Sequence, residues 1–177
     1  RVSGADRYAT AVAMARSHNV VTSGIVFASG ESTADALAAS QLASATRPIL
    51  LVGKDSVPAS VTDFISDYKS TLAANTSTIY FMGGESAISA ATMASLTTSI
   101  TTAGDLTPPT FTRVSGADRY ATSVAVNKWI VGSSTNAADF DGSSVVLVNG
   151  ENFADGLAAG PYAGIESEAG SNSAGSS

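Results

Sequence analysis

The residues with most to offer chemically come in repeated sets. Asp6-Arg7-Tyr8 returns as Asp118-Arg119-Tyr120. A guanidinium fork grips a phosphate or carboxylate through two parallel hydrogen bonds, which makes Arg7 and Arg119 candidate anion ligands. The same triplet also suits a helix start, where Asp caps backbone N–H groups, Arg pairs with a neighbouring carboxylate and Tyr packs under a sheet. The structural reading is the stronger one. Repetition fits both, because every copy must solve the same folding problem. Gly30-Glu31 with Asp35 returns as Gly150-Glu151 with Asp155. Two carboxylates at a helix start could share acid–base work. No nucleophile or metal ligand stands beside them, so capping and hydrogen bonds between copies outweigh catalysis. Acids there also repel an anionic ligand unless a cation bridges them. Gly83-Gly84-Glu85-Ser86 has the outline of a phosphate-cradling turn without the GK[ST] ending of a P-loop, and a plain tight turn is the simpler reading.

Cations are scarce, so Arg1, Arg47, Lys54 and Arg113 join Arg7 and Arg119 as candidates for holding an anionic ligand. Arg47 and Lys54 flank the PILLV segment at opposite ends, which speaks against a shared site and for ordinary surface charge. His18 lacks the Ser and acid of a triad and reads as a histidine near a helix end. Asp139-Phe140-Asp141 is an acid pair, but it lies in a loop rather than after a buried strand, and the first copy lacks it. Asn75-Thr76-Ser77 fits a glycosylation acceptor. No catalytic, metal or cofactor site emerges.

Composition narrows the classes further. The 177 residues include 31 Ala, 16 Gly, 27 Ser and 18 Thr, which points to a core of small side chains and close helix contacts. Nine Lys+Arg against fifteen Asp+Glu give a net charge of −6, and with no basic run a nucleic-acid groove is excluded. No apolar run approaches the ~20 residues of a membrane span. The absence of Cys removes thiol nucleophiles, disulfides and Cys-bound zinc, and the single His removes a multi-His metal site. The chain starts at Arg1 without a leader, so it is expected to be part of something longer.

The sets above belong to an internal repeat. RVSGADRYATAVA (1–13) and RVSGADRYATSVA (113–125) match at twelve of thirteen positions, and IVFASGESTADALAA (25–39) returns as VVLVNGENFADGLAA (145–159). The extra residues of the second copy fall in the Gly, Ser, Asn and Asp-rich stretch 127–144. The expected organisation is a complete first repeat over 1–112, a partial second repeat over 113–163, and a disordered tail or truncation over 164–177.

Within the first copy, strand and helix signals alternate. The pattern predicts a helix capped by Asp6 and running to Ser17, strands at 24–29, 48–53 and 78–82, and a helix over 34–45 capped by Ser32 or Thr33. It also predicts a helix started by Val57-Pro58 and one started by Ser86 or Ser89. Thr107-Pro108-Pro109-Thr110 reads as an extended linker. Alternation of this kind predicts an α/β fold of three layers, a mostly parallel sheet with helices on both faces. Gly30-Glu31, Gly53-Lys54 and Gly84-Glu85 all follow strands, so they should gather at the carboxyl edge of the sheet, where open α/β folds bind ligands.

RVSGADRYATAVA, SGESTADALAA, RPILLVG and MGGESAIS, in that order, resemble the type 2 cell-wall-binding repeat family of Gram-positive surface proteins. The resemblance implies a Toprim-like module, three of which pack as a pseudo-trimer beside an enzymatic or adhesive domain. It implies non-covalent attachment to an anionic polysaccharide of the cell wall, teichoic-acid-like or phosphorylated, and an extracellular, wall-bound location. The second module is incomplete in this chain. A repeat scaffold without polymer affinity and, less favoured, an α/β enzyme acting on nucleotides or glycans are the alternatives. The leading expectation is a non-enzymatic anchor whose partners are the wall polymer and neighbouring repeats, with no nucleic acid and no membrane span.

Overall fold

The computed structural model describes residues 1–17, 24–44, 46–74, 77–101, 108–133, 146–152, 154–157 and 159. His18, Asn75-Thr76, Thr107, Asp139-Phe140-Asp141 and the tail 164–177 lie outside them. Among the described residues, helices and strands alternate as α1 (Arg7–Ser17), β1 (Gly24–Ser29), α2 (Thr33–Ala39), β2 (Ile49–Val52), α3 (Ala59–Ala74), β3 (Thr78–Met82), α4 (Ala90–Ile100), β4 (Thr110–Val114) and α5 (Arg119–Ser133). The strands form one parallel sheet in the order β2-β1-β3-β4. Val26 stands level with Ile49 on one side and Tyr80 on the other, and Tyr80 is level with Thr112.

A parallel sheet buries both faces, and the strand sequences are written for that. Ile25, Phe27, Leu50, Val52, Ile79 and Phe81 point to one face, where they meet Val12 and Ala15 of α1, Phe64 and Leu72 of α3, and Leu96 and Ile100 of α4. Val26, Ala28, Tyr80, Met82 and Val114 point to the other and meet Ala38 and Ala39 of α2 and Val126 of α5. The architecture is therefore the three-layer α/β arrangement that the alternation implies.

Local chemistry sets the boundaries. Asp6 Oδ1 accepts from Ala9 N at 2.7 Å, capping α1, and Ser89 Oγ accepts from Thr92 N at 3.3 Å, capping α4. α3 starts one residue after Pro58, whose carbonyl accepts from Val61 and Thr62. α2 is shorter than the expected 34–45. The Ser40 hydroxyl bonds the Leu37 carbonyl at 2.6 Å, a local competitor for helix hydrogen bonding, and the chain tightens into a 3₁₀ turn, Ser40–Leu42, before Ala43 turns extended. Thr110 is no linker: it opens β4, which pairs with β3 from Thr78↔Thr110 to Met82↔Val114. β4 straddles the start of the second repeat at Arg113, so the sheet of the first copy is finished by residues of the second.

The Phe27 and Phe81 rings, both fully buried, stack at 5.4 Å between centroids. Phe81→Ala is expected to cost about 3–5 kcal/mol of unfolding free energy, measured by urea denaturation. A loss under about 1 kcal/mol would mean that this face is not packed as described.

Candidate functional site

Parallel strands deliver their carboxyl ends to one edge, and the loops after β1, β2 and β3 meet there. A Cβ on Gly53 would lie 3.6 Å from Glu31 Oε1, and one on Gly83 would lie 2.6 Å from Asp35 Oδ2. Lys54 and Glu85 are exposed in the neighbouring loops. The Lys54 carbonyl accepts from Ser89 N at 3.0 Å and Thr92 Oγ1 at 2.9 Å, tying the second loop to the start of α4.

The repeated triplets also end at this edge. Arg7 Nη1 donates to the Gly30 carbonyl at 2.6 Å, and Arg119 Nη1 donates to the Gly150 carbonyl at 3.0 Å. The sequence suggested a carboxylate partner for each arginine; the partner found is a backbone carbonyl of the turn after the following strand motif. Tyr8 fills the space beside Gly30, where a Cβ would come within 2.4 Å of Cε1, and Tyr120 does the same beside Gly150 at 2.4 Å. Asp118 Oδ1 accepts from Ala121 N at 2.8 Å, as Asp6 does from Ala9. Each triplet is thus a cap, a tether and a wedge.

Arg113 does a related task across the repeat boundary. Its guanidinium donates to the Gly83 carbonyl at 2.8 Å and the Ile88 carbonyl at 2.9 Å, with Met93 Sδ at 3.5 Å. Gly83 N in turn donates to the Val114 carbonyl at 3.0 Å. The Gly83-Gly84 turn, whose first residue has φ +88°, is therefore held by the second copy. Asp35, in the first turn of α2, presses against this turn. Burial pushes the Asp35 carboxyl above its ordinary value of 3.8, and the Arg119 guanidinium opposes that shift. Asp35 lies against Gly83 at the end of β3, beside the place between β1 and β3 where a doubly wound sheet would take a ligand.

The remaining candidates separate. Arg47 sits at the opposite edge from Lys54, donating to the Leu42 carbonyl at 3.2 Å and lying 5.3 Å over the Tyr80 ring. Arg1 is exposed, as are Glu31, Glu85, Glu151 and Asp155, while Gly30, Gly84 and Gly150 serve as turn residues. One feature escaped the sequence reading. An open cleft of about 380 Å³ lies beside β4, lined by Arg113, Val114, Ser115, Ala125, Lys128 and Trp129. Trp129 also meets Tyr80 edge-on at 6.2 Å. Its clue was the single Trp of the chain, placed next to a Lys where the first copy has Arg16-Ser17. The cleft joins the exposed ammonium of Lys128 to the aromatic ring of Trp129. Among the described residues, no group of three or more His, Asp or Glu could hold a metal ion.

The family model for cell wall binding domain 2 (CWB2) matches residues 1–93 and 113–169. The chain belongs to this family. Solved structures similar to the CWB2 chain include Cwp8 from Clostridium difficile, at 31% identity and a TM-score of 0.58 over 72% of this chain. Cwp6 from Clostridium difficile is similar at 25% identity and a TM-score of 0.55 over 74% of it. The CWB2 chain spans 20% of the first and 19% of the second. No match was found among curated proteins.

Two outcomes follow for the turn. Gly83→Ala forces a side chain into left-handed backbone and against Asp35, and should cost about 1–3 kcal/mol. Gly84→Ala, with its nearest neighbour at 4.0 Å, should cost little, and equal costs in thermal melts would refute the account. Because the folded-state pKa of Asp35 is raised, its stabilising contribution is complete below the unfolded value and is lost as pH rises through the folded one. Asp35→Asn removes that loss. The stability difference should widen in favour of the variant as pH rises above the ordinary carboxyl value of 3.8, and a flat difference would count against it.

Proposed function

We propose that this chain anchors a surface protein non-covalently to an anionic secondary polymer of the Gram-positive cell wall, through repeats that associate as a pseudo-trimer. Membership of the CWB2 family carries the wall-binding part of the reading. The cleft bearing Lys128 and Trp129 supports the polymer part. Residues 1–112 act as one repeat and 113–163 as part of the next, and the location is the cell surface.

Charge decides which groups meet the polymer. Arg7, Arg113 and Arg119 each spend donors on turn carbonyls. The exposed ammonium groups of Lys54 and Lys128 are better placed to take phosphate or carboxylate, together with the outward edges of Arg7 and Arg119. A net charge of −6 does not oppose this, since binding needs local positive potential only. Weak contacts in successive repeats add through effective concentration. Among the described residues no helix is long and apolar enough to cross a membrane.

The test is co-sedimentation with purified Gram-positive walls, before and after acid removal of the anionic polymers, over a salt series. Binding should vanish on stripping and fall as salt rises. Lys128→Glu should weaken it about tenfold, the equivalent of about 1.4 kcal/mol, with the melting temperature unchanged. Equal binding to stripped and intact walls would sink the polymer reading. No binding by the folded chain would favour a scaffold.

A further inference from the structure

The lining of the cleft beside β4 can be matched residue for residue with the first copy. Four places are unchanged: Arg113, Val114, Ser115 and Ala125 match Arg1, Val2, Ser3 and Ala13. Two differ. Lys128 stands where the first copy has Arg16, and Trp129 stands where it has Ser17.

The two exchanges alter what each place can do. Arg16 donates to Asp67 Oδ2 at 2.6 Å and lies 5.5 Å over the Phe64 ring, so its charge is engaged within its own copy. The Ser17 hydroxyl donates to the Met14 carbonyl at 2.7 Å. Lys128 is exposed, and among the described residues no acid forms an ion pair with it. Trp129 is half-buried, and its edge-on contact with Tyr80 fixes the plane of the indole. The second copy therefore offers an oriented aromatic wall and an ammonium group where the first offers neither.

The floor of the cleft adds polar groups. Thr110 N donates to the Ser77 carbonyl, and the Val114 carbonyl accepts from Gly83 N, so Thr110 and Val114 turn their backbone groups toward β3. Alternation along the strand turns those of Arg113 to the open edge, close to the exposed Ser115. These groups suit one class of ligand. The C–H bonds on the face of a pyranose carry partial positive charge and meet the negative face of an indole. Ring hydroxyls exchange hydrogen bonds with a strand edge. An ammonium takes phosphate or carboxylate as a point charge. The volume of about 380 Å³ is near the lower end of the roughly 300–1,000 Å³ of ligand sites, which fits a short saccharide.

We infer that this cleft is a saccharide subsite, present in the second copy and absent from the first. An anionic pyranose lies with its ring on Trp129, its hydroxyls on Ser115 and the Arg113 backbone, and its phosphate or carboxylate on Lys128. The inference deepens the anchoring reading and rests on it for the source of the sugar, a unit of the wall polymer. It adds that the copies are unequal, the ring being read at the one place where an aromatic residue replaces Ser17.

The chain has a single Trp, so the Trp129 indole N–H gives one reporter signal in a proton–nitrogen NMR spectrum. The probes are glucosyl phosphate, glucuronate, glucose and glycerol phosphate. Glucosyl phosphate, glucuronate or both should move the indole signal and the Ala125 amide, with a dissociation constant in the millimolar range, while the Arg16 and Ser17 amides stay still. A response to one of the two identifies the anion as phosphate or carboxylate. Glucose, which lacks the charge, and glycerol phosphate, which lacks the ring, should bind at least tenfold more weakly. Lys128→Gln should lower the binding of the anionic pyranose to that of glucose, with the melting temperature unchanged. Trp129→Phe, which keeps a ring against Tyr80, should weaken it severalfold, read from the Ala125 amide. The probe series uses the unaltered chain, so it decides the matter even if the Trp129 variant does not fold. An indole that no probe moves at tens of millimolar, an equal response to glycerol phosphate, or equal shifts at Arg16 and Ser17 overturns the inference. Such a result with polymer-dependent co-sedimentation intact leaves the anchoring reading standing. An indole response in a folded chain that ignores walls strikes the anchoring reading instead.

Discussion

Everything in this molecule follows from a parallel sheet that must keep water off two faces. One copy of the repeat supplies α1, α3 and α4 for the first face. For the second it supplies only α2 and a 3₁₀ turn. The deficit is met by α5, which belongs to the next copy, beside β4, which straddles the boundary between the two. The Gly83 turn can take left-handed backbone under Asp35 because Arg113 and the Val114 carbonyl hold it from outside the copy. Capping, sheet completion and helix coverage are thus one problem, solved jointly by two repeats.

The repeated motifs fasten turns of the backbone. An arginine can be read as an anion ligand wherever it recurs, but its five donors serve backbone carbonyls equally well. Arg7 holds the turn after β1, Arg119 holds the turn at Gly150 and Arg113 holds the turn between β3 and α4. The exposed lysines Lys54 and Lys128 carry compact charges on long, flexible stems instead. The Ala-rich second helix serves the joint in another way: Ala36, Ala38 and Ala39 let α5 approach closely through Ala125.

Much of this was legible in the residues. β1 and β3 are continuous apolar runs closed by glycine, and both occupy the segments that their sequences mark. Asp6 and Ser89 cap where short polar side chains should. β4 was not legible, because Thr-Phe-Thr-Arg-Val alternates like a half-exposed strand while the flanking prolines and the repeat start argue for a boundary. Only the pairing with β3 decides it. The end of α2 was missed because an Ala-rich run carries no stop signal of its own, and the Ser40 hydroxyl supplied one. The cleft beside β4 depends on two elements meeting across the repeat boundary, so neither segment announces it. Residues 146–149 carry a strand sequence but lie in no strand, with Leu147 exposed: propensity proposes a strand, and neighbours must accept it.

The offset of β4 from the repeat boundary has a bearing on how such arrays grow. The segment that is copied and the body that folds are displaced from each other by a strand and a helix. A duplication cut at the sequence boundary inserts a unit that is finished by its successor and finishes its predecessor, so new copies enter the middle of an array without leaving a raw joint. The two ends of an array are the exception. There the first opening block has nothing to complete and the last sheet has nothing to complete it, and selection at those two places must act on different residues from those it acts on everywhere else.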